Sequence, residues 1–168
     1  LKVEDAHLDF HARFNALSKT YAYCILPLNI KAPFVRSFGW CIKHPLDLAI
    51  MRREAKSLLG RHDFSSFQAS DRAARHSVVT LKRIDIKRVK GHEGFPFLKS
   101  MELVIIELEA SGFLRNMVRN IVGTLVDVGR GKFKEGDLAR ILKKKDRRSA
   151  GFCAPACGLY LVDVVYGK

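Results

Sequence analysis

Gly112-Phe113-Leu114-Arg115-Asn116-Met117-Val118-Arg119-Asn120-Ile121-Val122-Gly123-Thr124-Leu125-Val126-Asp127-Val128 is the most strongly periodic stretch of the chain. Phe113, Met117, Ile121 and Leu125 make one row at i, i+4 spacing; Leu114, Val118, Val122 and Val126 make the row beside it. Two adjacent apolar rows predict a helix over residues 112–128 pressed against a sheet, with Gly129-Arg130-Gly131 as its stop. Arg115, Arg119 and Gly123 run along its flank as a third row. Working outward, residues 101–110 read as a strongly apolar strand. Residues 78–89 alternate imperfectly, with β-strand as the better template and residues 91–96 as the hairpin loop between the two. Residues 20–26, aromatic and β-branched and stopped by Pro27, predict another strand, and residues 158–166 a final one. Leu48, Met51, Ala55, Leu58 and Leu59 sit at helical spacing within residues 47–59, and residues 135–145 form a short amphipathic helix. Strands with short links and two or three helices give an α+β fold, a mainly antiparallel sheet with helices packed on one face.

The chain has 168 residues, and its 30 Lys and Arg against 17 Asp and Glu give a formal net charge of +13. That excess costs self-repulsion in the free fold and points to a polyanionic partner, with a merely basic globular protein as the bland alternative. A hydrophobic content of 48% is enough for a real core, which excludes wholesale disorder. No apolar run approaches the roughly 18 residues of a membrane span, so no membrane role is expected. The stretch Leu1-Lys2-Val3-Glu4-Asp5 carries neither a starting Met nor a secretory signal, and the chain reads as part of something longer. No repeat or linker divides it, so residues 1–168 are taken as one domain with residues 1–9 as a leading arm.

Four cysteines do not make a case for metal or disulfide. Cys24 and Cys41 stand alone in apolar segments, and Cys153 and Cys157 lack two further ligands at zinc spacing. No metal and no cofactor are expected, and a reducing cytoplasmic setting is the simplest one.

Several strings occur together: Phe10-His11-Ala12-Arg13-Phe14, Lys19-Thr20-Tyr21-Ala22-Tyr23, Gly60-Arg61-His62-Asp63-Phe64-Ser65-Ser66-Phe67, the helix quoted above, and residues 150–161. Taken in this order, they resemble the C-terminal domain of the tRNA pseudouridine synthase A family, which isomerises uridines at positions 38 to 40 of the anticodon stem-loop. The resemblance runs over about residues 9–166 and departs from the family at Cys153 and Cys157, where small or polar residues are commoner. It implies an isomerase needing no cofactor, acting as a homodimer that clasps tRNA across both subunits. The family's catalytic aspartate belongs to a G-R-T-D-x-G motif in an N-terminal domain, and no such motif occurs here. The chain is therefore expected to supply half of an active site and to be inactive alone. A non-catalytic domain that binds structured RNA is the alternative function.

By the resemblance, Tyr21 is the active-site tyrosine near the target base and Arg119 the partner of the absent aspartate. An aromatic ring suits a base taken out of its stack, and a guanidinium keeps a carboxylate ionised and oriented. Spacing alone leaves both open: Tyr21 and Tyr23 share a strand face, where either is an ordinary core residue, and a lone Arg on a helix flank is usually solvated. For RNA contact the weaker candidates are His11, Arg13, Arg61, His62, Arg72, Arg75 and the cluster Lys143-Lys144-Lys145, since helical RNA is held through distributed cations.

Overall fold

The structure, a computed structural model, describes residues 5–27, 35–69, 77–90 and 101–167. The loop expected at residues 91–96, and the candidates Arg72 and Arg75, lie outside the described residues.

The strands are β1 (Ala16–Leu26), β2 (Trp40–Cys41), β3 (Gly60–Asp63), β4 (Val78–Lys90), β5 (Glu102–Ala110) and β6 (Leu159–Tyr166). The helices are α1 (Leu48–Ala55), α2 (Met117–Gly129) and α3 (Asp137–Lys144). Strand order is β2-β1-β5-β4-β3, with β6 also on β1. Every pairing is antiparallel except the short one between β2 and β1. This is the expected α+β fold.

Alternation decides which face of the sheet is covered. Val104, Ile106, Leu108 and Ala110 of β5 are buried with Tyr23 and Ile25 of β1 and with Met117, Ile121 and Leu125 of α2. Each of the Val, Leu, Ile and Met side chains among them contributes about 1.5–3 kcal/mol on leaving water. The opposite face carries charge: Arg83 pairs with Asp85 (2.6 Å) and Glu107 (3.2 Å), and Lys87 with Glu107 (3.4 Å).

Three local outcomes differ from the sequence reading. Gly60–Asp63, with no strand expected, pairs with β4 as a border strand, and Trp40–Cys41 adds two parallel residues to β1. Strands this short leave no period to read. The first helix gives way to a 3-10 turn at Lys56–Leu58. The long helix begins at Met117, five residues after Gly112, because Asn116 takes a left-handed φ of 60° that breaks the helical path. Phe113 and Leu114 are therefore not helix rows. They lie in the segment that enters α2.

The third row of α2 is covered by the chain itself. A Cβ at Gly123 would lie 1.9 Å from the Phe152 carbonyl oxygen, so only glycine lets the segment 150–154 run this close. Gly151 N–H donates to Thr124 Oγ1 (3.0 Å), and Asn120 Nδ2 donates to the Phe67 carbonyl (2.7 Å). Arg147 reaches in to the Gly151 carbonyl (2.8 Å) and Asn120 Oδ1 (2.9 Å). Arg147, part of the basic run 143–148, is thus a structural clamp. At the other end of the layer, the buried Glu54 carboxylate accepts from Gly136 N–H (3.0 Å) and Leu138 N–H (3.3 Å), closing the amino end of α3.

Candidate active site

Of the thirteen residues of α2, Arg119 alone is not buried. Its Nε donates to the Ala154 carbonyl at 2.6 Å and its Nη1 to Asn116 Oδ1 at 3.3 Å. Two anchors on one planar group fix its direction, while further N–H donors remain for a ligand. Among the described residues no carboxylate pairs with it.

Arg119 lines a cleft of about 350 Å³ at the amino end of α2, shared with Tyr21, Arg13, Phe113 and Arg115. Tyr21 is half-buried and its ring meets Phe113 edge-on, with centroids 5.2 Å apart. Beside it the β1–β6 register slips: Thr20 pairs with Asp163 but Tyr21 with Leu161, so Val162 is an extra residue that twists the strand at Tyr21. Among the described residues, three arginines and no carboxylate line this cleft. Its lining combines apolar Phe113, Leu114 and Leu159 with the arginines, which suits a planar base together with an anion.

The two tyrosines that spacing left equivalent are now distinct. Tyr23 is fully buried and donates its hydroxyl to the Pro155 carbonyl at 2.6 Å; burial, with the Cys157 thiol next, pushes its pKa well above the ordinary tyrosine range. Tyr23 is core, and Tyr21 faces the cleft.

The weaker candidates divide into two places. Arg13 lines the Tyr21 cleft. His11 does not; it folds the leading string into a turn, accepting at Nδ1 from Arg13 N–H (3.2 Å) and packing on Phe14 (4.4 Å). Arg61, His62, Lys143 and Lys145 line a second cleft of about 330 Å³ between β3 and α3, and Lys144 stays outside it. There His62 Nε2 lies 2.7 Å from the Leu59 carbonyl, and Lys145 Nζ lies 3.2 Å from Asp63 Oδ2. Burial alone would raise the Asp63 pKa. Hydrogen bonds from Ser65 and Ser77, with Lys145, outweigh it and hold the carboxyl well below its usual range.

Sequence reasoning did not single out Phe113 or Asn116 as parts of the Tyr21 cleft, nor the 150–154 segment as the anchor of Arg119. Asn116 carried the one available signal, since Asn tolerates left-handed backbone better than most residues. Among the described residues the four cysteines are free, no group of three or more His, Cys, Asp or Glu is placed to hold a metal ion, and no helix is long and apolar enough to cross a membrane.

Residues 55–167, which hold both ends of α2 and both clefts' principal walls, match a family model described as tRNA pseudouridine synthase. The chain is 41% identical over 166 residues to a tRNA pseudouridine synthase A of Thermoanaerobacter sp. (strain X514), covering 99% of this chain and 64% of that protein. It is 43% identical to the tRNA pseudouridine synthase A of Pelobacter propionicus at the same coverage. With that of Acidiphilium cryptum it shares 44% identity over 92% of this chain and 56% of the relative. The chain thus spans somewhat under two thirds of the length of these relatives. Similarity over 99% of the chain, which takes in the strand bearing Tyr21, the helix bearing Arg119 and the segment 150–154 across it, places this chain in the tRNA pseudouridine synthase family.

Proposed function

We propose that this chain is the base-holding half of a tRNA pseudouridine synthase active site, acting on the anticodon stem-loop. The observation that carries the reading is the convergence of Tyr21 and Arg119, from different elements, on one cationic cleft that no carboxylate among the described residues lines. In this reading a flipped uridine lies against Tyr21. Arg119 pairs with an aspartate from a further domain of the same protein, keeping it ionised and aimed at the ribose. The uridine C1′–N1 bond breaks, the base turns, and a C1′–C5 bond forms; C5 loses its proton and N1 gains one, so no redox partner is needed. The border strand β6 supports a docked domain: among the described residues it pairs only with β1 and leaves Leu161, Val162 and Val165 exposed. A homodimer holding tRNA across both subunits completes the proposal.

The test joins the chain to a preceding domain bearing G-R-T-D-x-G and supplies tRNA tritiated at uridine C5. Release of tritium to water is the expected result. Binding without release would overturn the catalytic reading in favour of a structured-RNA-binding domain.

A further inference from the structure

The second cleft is roughly 20 Å from the first. Tyr21 pairs with Leu108 and Leu108 with Ile84, while Arg61 pairs with Thr80. That is three strand spacings across and four residues along the sheet, roughly 20 Å. One nucleotide cannot occupy both clefts.

Cations converge on it from two elements. Arg61 comes from β3, and Lys143 and Lys145 from the end of α3, against one carboxylate among the described residues, that of Asp63. Lysines at a helix carboxyl end are common because they offset its dipole, and Lys144 is explained that way. Arg61 is not, since a border strand makes no such demand. Lys145 closes α3 with a left-handed φ of 52° and is pinned to Asp63. The Asp63 carboxylate is itself fixed by the Ser65 hydroxyl (2.5 Å) and amide (3.0 Å). This holds one wall of the cleft in place and leaves Arg61 and Lys143, both exposed, outside any ion pair among the described residues. On the open face of the sheet, by contrast, Arg83 and Lys87 are both matched by carboxylates. Unmatched positive charge is therefore gathered here, in a concave place of about 330 Å³.

We infer that the cleft between β3 and α3 holds a backbone phosphate of the RNA stem, several nucleotides from the base at Tyr21, with Arg61 and Lys143 as its ligands and Lys145 as a fixed flanking charge. The inference rests on the proposed function for its choice of polyanion. It adds a register point: a stem held at this cleft can present only certain nucleotides to Tyr21.

The test uses the chain with an unmodified tRNA transcript, comparing wild type with the double variant Arg61→Gln, Lys143→Gln across a salt series. Each phosphate contact contributes about 0.7–0.9 to the slope of log affinity against log salt. The variant is expected to lose about one unit of slope and to bind roughly three- to tenfold more weakly near 0.1 M salt. The charge-keeping pair Arg61→Lys, Lys143→Arg should restore both, and near-equal melting temperatures would confirm that the fold is intact. Unchanged slope and affinity would overturn the phosphate site alone. A wild-type chain that binds no tRNA would overturn both readings. A variant-sensitive slope without pseudouridine formation by the completed enzyme would support the phosphate site and overturn the catalytic one.

Discussion

Arg119 and Ala154 hold each other in both directions: the Arg119 Nε–H donates to the Ala154 carbonyl at 2.6 Å, and the Ala154 N–H donates to the Arg119 carbonyl at 3.1 Å. The side chain proposed to face the aspartate is thereby tied to a strap, residues 150–154, and the strap to α2 through Gly123 and Thr124. Phe152 adds an edge-on contact with Trp40, centroids 5.1 Å apart. Positioning of the guanidinium is a property of the packing along the whole helix flank.

Gly123→Ala is expected to break this arrangement without touching the cleft. Its methyl would lie 1.9 Å from the Phe152 carbonyl oxygen, backbone that cannot yield as a side chain tip does. We expect a loss of about 1–3 kcal/mol, typical of an overpacked core, read from urea unfolding. In the completed enzyme turnover should fall more than tRNA affinity. A variant as stable and active as wild type would show that the strap is free to move.

Arg119→Ala in the completed enzyme should lower kcat at least about a hundredfold, the scale for removing a group aimed at developing charge, with tRNA affinity within a few fold. Arg119→Lys should rescue little, because one ammonium cannot hold both Ala154 O and Asn116 Oδ1 as the planar fork does. Single-turnover kinetics with a parallel binding assay separates the two quantities; unchanged turnover would end the ion-pair role.

Much of this was legible in the sequence, because period reports burial. The rows Met117, Ile121, Leu125 and Val118, Val122, Val126 are the core face of α2, and β5 alternates as a half-covered strand must. Tyr21 and Arg119 came from motif strings, which name residues without giving their surroundings. What was not legible depends on distant contacts or on single dihedrals. The φ of Asn116 moved Phe113 from a helix row into the cleft. The crowding at Gly123 comes from Phe152 of the same chain, a contact no local pattern encodes. Arg147 stands in a basic run with nothing in its spacing to set it apart, and only the fold shows it clamped to Asn120 and Gly151.

Tyr21 and Tyr23, two residues apart, should answer substitution in opposite ways. Tyr21→Phe keeps the ring against Phe113 and should retain most activity. Tyr21→Ala loses a stacking surface worth about 1–3 kcal/mol and should lower kcat/KM about tenfold to a hundredfold. Tyr23→Phe removes the hydroxyl from the Pro155 carbonyl and should cost about 1 kcal/mol of stability with little effect on chemistry. Thermal melts and tritium release on the three variants distinguish the roles. If Tyr21→Ala simply unfolded the domain, Tyr21 would be core as well.

Alkaline pH offers a check on the packing beneath β1 and β2. Burial pushes the Cys24 thiol up from 9.0 to about 11, with the Cys157 and Cys41 thiols adding to the shift. Above pH 9.0 the unfolded chain releases this proton while the folded chain still holds it. The stability contributed is therefore full below pH 9.0 and is lost as pH rises toward about 11. Tyr23, also raised, adds a loss of the same sign at higher pH and is common to both proteins in the comparison. Urea midpoints followed against pH should fall more steeply for wild type than for Cys24→Ala across that window. Parallel curves would mean that the thiol ionises as freely in the fold as in the open chain, and that the layer over β1 admits water.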